Sequence, residues 1–229
     1  MIGSPPEIRV SCIMPTADRR EFVPGAIAYF LNQDYKHKEL IIIDDGEDKI
    51  EDLVPLLPGI TYIRLEKRYT VGAKRNLACR EASGEIILHW DDDDWMAPGW
   101  VRHQVTHLLT AHADITGLDK PYFYHPALQK AWQYIYPPNE KPWVHGGTLC
   151  YTKATWRNHP FPEINIAEDL EFLWNGCPKK IIPHAYVELY VALIHDKNAS
   201  PKYTWDSRWK VEKLVKISRI MKAYSYSRY

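Results

Sequence analysis

The chain has 229 residues, 45% hydrophobic and 25% charged, a composition typical of a soluble globular protein with room for one large α/β domain. Lysine and arginine total 29 and so do aspartate and glutamate, so no basic excess points to nucleic acid and no acidic tail is present. Cys12, Cys79, Cys150 and Cys177 form no C-x-x-C pair, which argues against a disulfide framework and against a zinc site.

Taken in chain order, the pattern alternates. Residues 8–14 read as a strand, 21–33 as a helix, 40–43 as a second strand, and 60–65 as a third, with a short acidic helix near 49–57. Ala73, Leu77, Ala78 and Ala82 share one face of a helix over 71–82, which Ser83-Gly84 stops before a fourth strand over 85–90. Strand–helix alternation implies a mostly parallel sheet flanked by helices, a Rossmann-like half. Ligands of such sheets gather at the carboxyl ends of the strands. Beyond residue 100 a helix is expected over 100–111, irregular strands and loops over 114–150, and a strand-like run over 186–194. A final helix is expected over 206–224, with Arg208, Lys210, Lys213, Lys216, Arg219 and Lys222 on its surface. These charges are either a solvated face or a contact for acidic lipid or a partner.

The strand ends carry the chemistry. The first ends in Pro15-Thr16-Ala17-Asp18-Arg19, the second in Asp44-Asp45-Gly46, and the fourth in Asp91-Asp92-Asp93-Asp94, so these polar ends would converge on one crevice. Asp-Gly is a turn signal in its own right. Four adjacent carboxylates beside a core strand repel one another and gain nothing by packing. A hard divalent cation, Mn²⁺ or Mg²⁺, would hold them ionised.

The stretches VSCIMPTADR, ELIIIDDGEDK and VGAKRNLACREASGEIILHWDDDDW, in that order and spacing, resemble the nucleotide-binding half of family 2 glycosyltransferases with the GT-A fold. The likeness continues more weakly through GGTLCYTKATW, INIAEDLEFLW and VALIHDKNAS. It implies transfer of a sugar from a nucleotide-diphosphate donor to an acceptor hydroxyl on a glycan, a lipid-linked glycan or another molecule. Matched to the family's Asp-x-Asp-Asp form, Asp91 would meet the donor ribose and Asp93 the metal, with Asp94 in support. Asp92 stands at the variable position on the donor side, where nothing forbids it from ligating. Thr16 and Asp44 match base-contacting positions, with Pro15 shaping the turn and Asp45 nearby. A carboxylate that accepts an imide N–H favours uracil over cytosine, and thymine and guanine remain compatible. Glu47 replaces the family's usual serine in that loop. Lys74 and Arg75 open the next helix as base or diphosphate contacts, or as solvated helix charges.

On the acceptor side, Glu168-Asp169 stands where the family places its Glu-Asp motif, although acidic residues at a helix start are favoured by the dipole alone. By the resemblance Asp169 is the general base, with Glu168 the other candidate, and the stereochemical outcome is inversion. His195 is either a structural hydrogen bonder or a late metal ligand. Gly146 and Gly147 permit close approach of backbone to the donor sugar or acceptor. Trp143, Trp132 and Tyr134 suit either a sugar face or the core.

The expected organisation is one GT-A domain over 1–229: a nucleotide- and metal-binding half at about 7–100, an acceptor half at about 101–205, and a terminal helix at about 206–229. The amino end lacks a basic segment followed by a long apolar run, and no window reaches the length of a membrane span. The expected location is therefore cytoplasmic, with peripheral contact at the inner face of a membrane compatible with the basic last helix. Two other readings compete: a non-catalytic sugar-nucleotide or metal-binding module of this fold, and a sugar nucleotidyltransferase. The latter should carry a Gly-rich phosphate loop after the first strand, and residues 15–20 hold no glycine.

Overall fold

The computed structural model describes residues 8–177 and 179–223. Strand β1 (Val10–Thr16) lies between β2 (Lys38–Asp44) and β4 (Ile86–His89), parallel to both, and β3 (Ile60–Arg64) extends the sheet beyond β2. Every side chain of β2 from Glu39 to Asp44 is buried, because the strand is covered on both faces. Leu40 and Ile42 enter one core with Val10, Cys12, Met14, Ile86 and Leu88, whereas Ile41 and Ile43 enter a second core with Ile13 and Ile87. Period-two alternation thus supplies two cores from one sheet.

The first core is closed by helix α1 (Val23–Leu31) through Val23, Ala26, Ile27 and Phe30, and by α3 (Trp100–Thr110) through Val101, Val105 and Leu108. The second core takes Ala78 and Cys79 from α2 (Val71–Glu81), Trp156 from α4 (Lys153–Asn158), and Phe172 and Leu173 from α5 (Glu168–Trp174). The α2 start is fixed by Thr70, whose hydroxyl accepts the Ala73 N–H at 3.2 Å.

Two sheets meet at the site. β6 (Ile115–Gly117), β9 (Cys150–Thr152) and β10 (Ile181–Pro183) complete a seven-stranded sheet in the order β10-β6-β9-β4-β1-β2-β3. It is mostly parallel, with β9 antiparallel to both of its neighbours. A second sheet of five strands runs β12-β8-β7-β11-β5, formed by β5 (Trp95–Met96), β7 (Tyr122–His125), β8 (Lys130–Tyr134), β11 (Tyr190–Leu193) and β12 (Trp209–Glu212). The aspartate run joins β4 of the first sheet to β5 of the second, so it is an elbow between sheets. The segment from β8 back to β9 carries Gly146 and Gly147 across the same junction.

Several expectations need correction. The final helix is α6 (Leu214–Ala223); Trp209–Glu212 instead pairs antiparallel with β8, where Trp209 packs on Phe123 and Tyr134, contacts that no local periodicity encodes. Tyr224, the expected helix end, lies outside the described residues. The acidic helix near 49–57 shrinks to one 3₁₀ turn, Glu51–Leu53. The irregular region 114–150 supplies ordered strands to both sheets. The 186–194 run begins as a 3₁₀ turn at Val187–Leu189 before β11. Among the described residues, no helix is long and apolar enough to cross a membrane.

Candidate active site

The strand ends converge as their order requires. Thr16 stands opposite Asp44 in the β1–β2 register, and the chain leaving β4 delivers Asp91–Asp94 alongside. A cleft of about 510 Å³ opens there, lined by Pro15, Thr16, Arg19, Lys74, Arg75 and the four aspartates on one side. Trp143, Gly146, Gly147, Glu168, Asp169, Lys197 and Lys202 line the rest.

Each aspartate has its own partners. Asp92 accepts the Thr16 hydroxyl at 2.5 Å and Arg19 Nη1 at 2.7 Å. Burial, with Asp93 adding to it, pushes its pKa up to about 6 despite Arg19. Asp93 Oδ2 accepts Arg19 Nη1 at 2.8 Å, His195 Nε2 at 2.9 Å and Asn198 Nδ2 at 3.2 Å. Burial opposes the Asp93 charge, but the His195 and Arg19 contacts outweigh it and hold the carboxyl below the usual carboxylate range. Asp94 accepts the Tyr190 hydroxyl and the Leu193 N–H, and burial beside Asp93 and Asp91 drives its pKa well up. Asp91 is the most open of the run; burial raises its pKa, opposed by Arg75 at 3.5 Å.

The glycines set the distance between the two halves of the site. A Cβ on Gly147 would stand 2.4 Å from the Tyr190 hydroxyl and 2.7 Å from Asp91 Oδ2. A Cβ on Gly146 would stand 2.1 Å from Asp169 Oδ2. Consecutive residues therefore touch the aspartate run and Asp169. His89, at the end of β4, fixes this backbone by donating Nδ1–H to the Gly146 carbonyl at 2.7 Å, and burial keeps its imidazole neutral by lowering its pKa well below the usual value.

Asp169 sits in the first turn of α5, its Oδ1 accepting the Leu170 N–H at 2.9 Å. Its neighbour Glu168 is buried and paired with Arg75 Nη1 at 2.6 Å. Arg75 is thereby clamped between Glu168 and Asp91, and despite burial these carboxylates raise its pKa. The left-handed Ala167, at φ 65°, turns the chain so that α5 starts at the cleft.

These features match a known family. The model described as Glycosyl transferase family 2 fits residues 11–171. The chain belongs to glycosyltransferase family 2. An uncharacterised glycosyltransferase of Bacillus subtilis, YwdF, is 31% identical over 113 residues, 47% of this chain and 42% of that one. The GalNAc(5)-diNAcBac-PP-undecaprenol β-1,3-glucosyltransferase of Campylobacter jejuni is 34% identical over 98 residues, 40% of this chain and 31% of that one. The chain thus spans under half the length of these curated relatives. Among solved structures, Staphylococcus aureus TarS 1-349 in complex with UDP-GlcNAc superposes with a TM-score of 0.65 at 17% identity, covering 86% of this chain and 62% of that one. A Pyrobaculum calidifontis mannosyltransferase in complex with GDP-Man and Mn²⁺ gives a TM-score of 0.62 at 18% identity, covering 82% and 57%. At such identities the likeness establishes the fold, which is GT-A.

Within this family 2 glycosyltransferase, the residues singled out from sequence fall into two groups. Pro15, Thr16, Lys74, Arg75, Asp91, Asp92, Asp93, Trp143, Gly146, Gly147, Glu168 and Asp169 line the cleft. Asp44, Asp45 and His195 are set behind that lining, His195 against Asp93. Asp44 accepts the Gly46 N–H and the Tyr62 hydroxyl, each at 2.8 Å, so a base N–H would compete with Tyr62 for it. Asp45 holds Lys74 Nζ at 2.6 Å, and burial lowers the Lys74 pKa against that pairing. Sequence reasoning gave no role to His89, Tyr190 and Asn198, and placed Arg19 at the first strand end without its partners. The partners of Arg19 lie 73 and 74 residues away, so only the loop position of a basic residue beside Pro15-Thr16 could have flagged it.

Among the described residues, no group of three or more His, Cys, Asp or Glu forms a metal cage. The donor set nonetheless suits a divalent cation. Asp93 Oδ2 and the His195 ring nitrogen are 2.9 Å apart, with Asp91 on the same wall. Mg²⁺-type sites use one or two carboxylates and complete their shell with substrate phosphate and water. His195 Nδ1 accepts the Lys197 N–H at 3.2 Å, which leaves the proton on Nε2 facing Asp93.

Proposed function

We propose that the chain is an inverting, divalent-metal-dependent transferase that moves a sugar from a nucleotide-diphosphate donor, UDP-linked by preference, to an acceptor hydroxyl. The observation that carries this reading is the Gly146-Gly147 turn, which seats Asp91 against one glycine and Asp169 against the next. A carboxylate on the donor side and a carboxylate able to accept a proton are thus held across one cleft. Both sheets contribute to that cleft, which supports one domain with a donor half at about 7–100 and an acceptor half at about 101–205.

Asp93, with His195, would hold Mn²⁺ or Mg²⁺, which when bound would neutralise charge developing on the leaving diphosphate, and Asp91 would meet the donor ribose. Lys202 adds positive charge along the same wall, whereas the Lys197 ammonium is paired with Glu21. Asp169 would take the proton of the acceptor hydroxyl as that hydroxyl's oxygen attacks the anomeric carbon from the face opposite the diphosphate. The new C–O bond forms as the bond to the diphosphate breaks, and configuration inverts. Glu168 is spoken for by Arg75, which favours Asp169 as the base. Thr16 and Asp44 are side by side at the strand ends, and Asp44 would serve as the imide acceptor of a uracil that displaces the Tyr62 hydroxyl. Trp143 at the cleft offers a face for the acceptor or donor sugar.

The test is a panel of nucleotide sugars with Mn²⁺, scored by nucleoside diphosphate release, with calorimetry of UDP binding alongside. Asp93→Ala should abolish metal-dependent UDP binding. Asp169→Asn should keep UDP affinity while transfer falls by about 10²–10⁴-fold. A chain that binds UDP tightly but turns over no donor would be a binding module instead.

A further inference from the structure

We infer that Arg19 is the resident countercharge of the aspartate run, the group a divalent cation must displace, and hence the residue that sets cation affinity before donor binds. The inference rests on the metal-dependent reading above. Arg19 Nη1 bridges Asp92 Oδ1 at 2.7 Å and Asp93 Oδ2 at 2.8 Å, and its Nη2 donates to the Lys197 carbonyl. The side chain is only 16% exposed, so these bonds are shielded from bulk water. Charge-assisted bonds of this kind are the strong ones.

Asp93 Oδ2 already receives three donors: Arg19, His195 and Asn198. A cation binding this oxygen has to expel at least one of them. Asn198 is pinned twice more, its Oδ1 accepting the His195 N–H at 2.9 Å and its Nδ2 reaching the Leu193 carbonyl at 3.2 Å. His195 can stay by passing its proton from Nε2 to Nδ1, at the cost of the Lys197 N–H contact, which turns Nε2 from a donor into a ligand while stacking on Phe22 at 4.4 Å holds the ring. Arg19 can do neither. A guanidinium cannot lose its charge, so it repels any cation that shares its carboxylate. It is also the long side chain of the three, leaving from a loop in which Asp18 adopts φ 55°. Once released it stands beside Lys197 and Lys202 at the cleft, where a planar guanidinium meets a diphosphate as a bidentate partner. Arg19 therefore opposes the cation alone and favours cation and donor together.

The experiment titrates Mn²⁺ into the parent, Arg19→Gln and Arg19→Lys by calorimetry, first without nucleotide and then with UDP, and follows thermal unfolding in EDTA. Without nucleotide, Arg19→Gln should bind Mn²⁺ about tenfold more tightly than the parent, the equivalent of one competing charge-assisted bond, with Arg19→Lys between them. In EDTA the Gln variant should unfold at a lower temperature than the parent and recover at saturating Mn²⁺. With Mn²⁺ present its UDP affinity should be weaker than the parent's. Arg19→Gln binding Mn²⁺ no more tightly than the parent overturns the inference while leaving the metal reading intact. A parent that takes up no Mn²⁺ even with UDP, and binds UDP equally in EDTA, overturns the metal reading and this inference with it.

Discussion

A methyl group on Gly146 would collide with Asp169 Oδ2, so Gly146→Ala tests whether that carboxylate acts from where it stands. The substitution should push Asp169 out of line and lower transfer by about 10²-fold or more, the cost of an ångström-scale misplacement. UDP affinity should change little, because the diphosphate end is held by other residues. Equal loss of both would mean the glycine serves the fold rather than the base. Glu168 offers the complementary case. Its removal in Glu168→Ala leaves Arg75 buried with Asp91 at 3.5 Å as its one remaining ion pair among the described residues, and should cost about 3 kcal/mol in urea unfolding, the low end for breaking a buried pair. The residues that sequence could mark were those whose type alone is improbable beside a core strand, the aspartate run above all. Arg19 and Tyr190 gain meaning only from partners far along the chain, so no local spacing announces them.

At the level of elements, the first hundred residues were legible because β1, β2 and β4 are buried on both faces and α1 shows one apolar side. The second half was not, because short strands such as β6, β9 and β12 are defined by their partners rather than by their own alternation. The basic periodicity over 206–224 is real on α6 but runs through β12, whose Trp209 side is set by the sheet it joins. Helix α2 shows how close packing overrides propensity. Alanine would be a better helix former than Gly72 by about 1 kcal/mol. Yet a Cβ there would lie 1.9 Å from the Pro162 carbonyl oxygen, a backbone atom that cannot step aside. Gly72→Ala should therefore lower the thermal midpoint, and weaken UDP binding by shifting Lys74 and Arg75 on the same helix. A higher midpoint would show that residues 161–165 yield easily to α2.

For the whole molecule, the pH dependence of stability follows from which groups are buried in which charge state. His89 is fully buried and its pKa is lowered well below the usual value; His184 is 4% exposed, and burial together with His107 lowers its pKa to about 3. A histidine depressed on folding contributes stability that is present above its unfolded pKa of about 6.5 and is lost as pH falls below it, because the unfolded chain then binds the extra proton. Asp92 acts in the opposite sense: raised to about 6, it favours the folded state at acid pH and loses that contribution as pH rises from about 4 through 6. The two effects overlap between pH 4 and 6, so the parent's curve alone cannot separate them. His184 lies apart from the cleft, on Trp100 and His107, and its Nδ1 accepts the Tyr186 N–H at 3.2 Å, a role an Asn oxygen can take over. In EDTA, His184→Asn should flatten the fall in unfolding free energy below pH 6.5 by one proton, about 1.4 kcal/mol per pH unit, while leaving the slope above pH 7 unchanged. Urea unfolding of both proteins at half-unit steps from pH 7.5 to 4.5 reads this directly. Parallel curves over that range would mean that His184 titrates in the folded protein as it does in the unfolded chain, and that its burial is open to water.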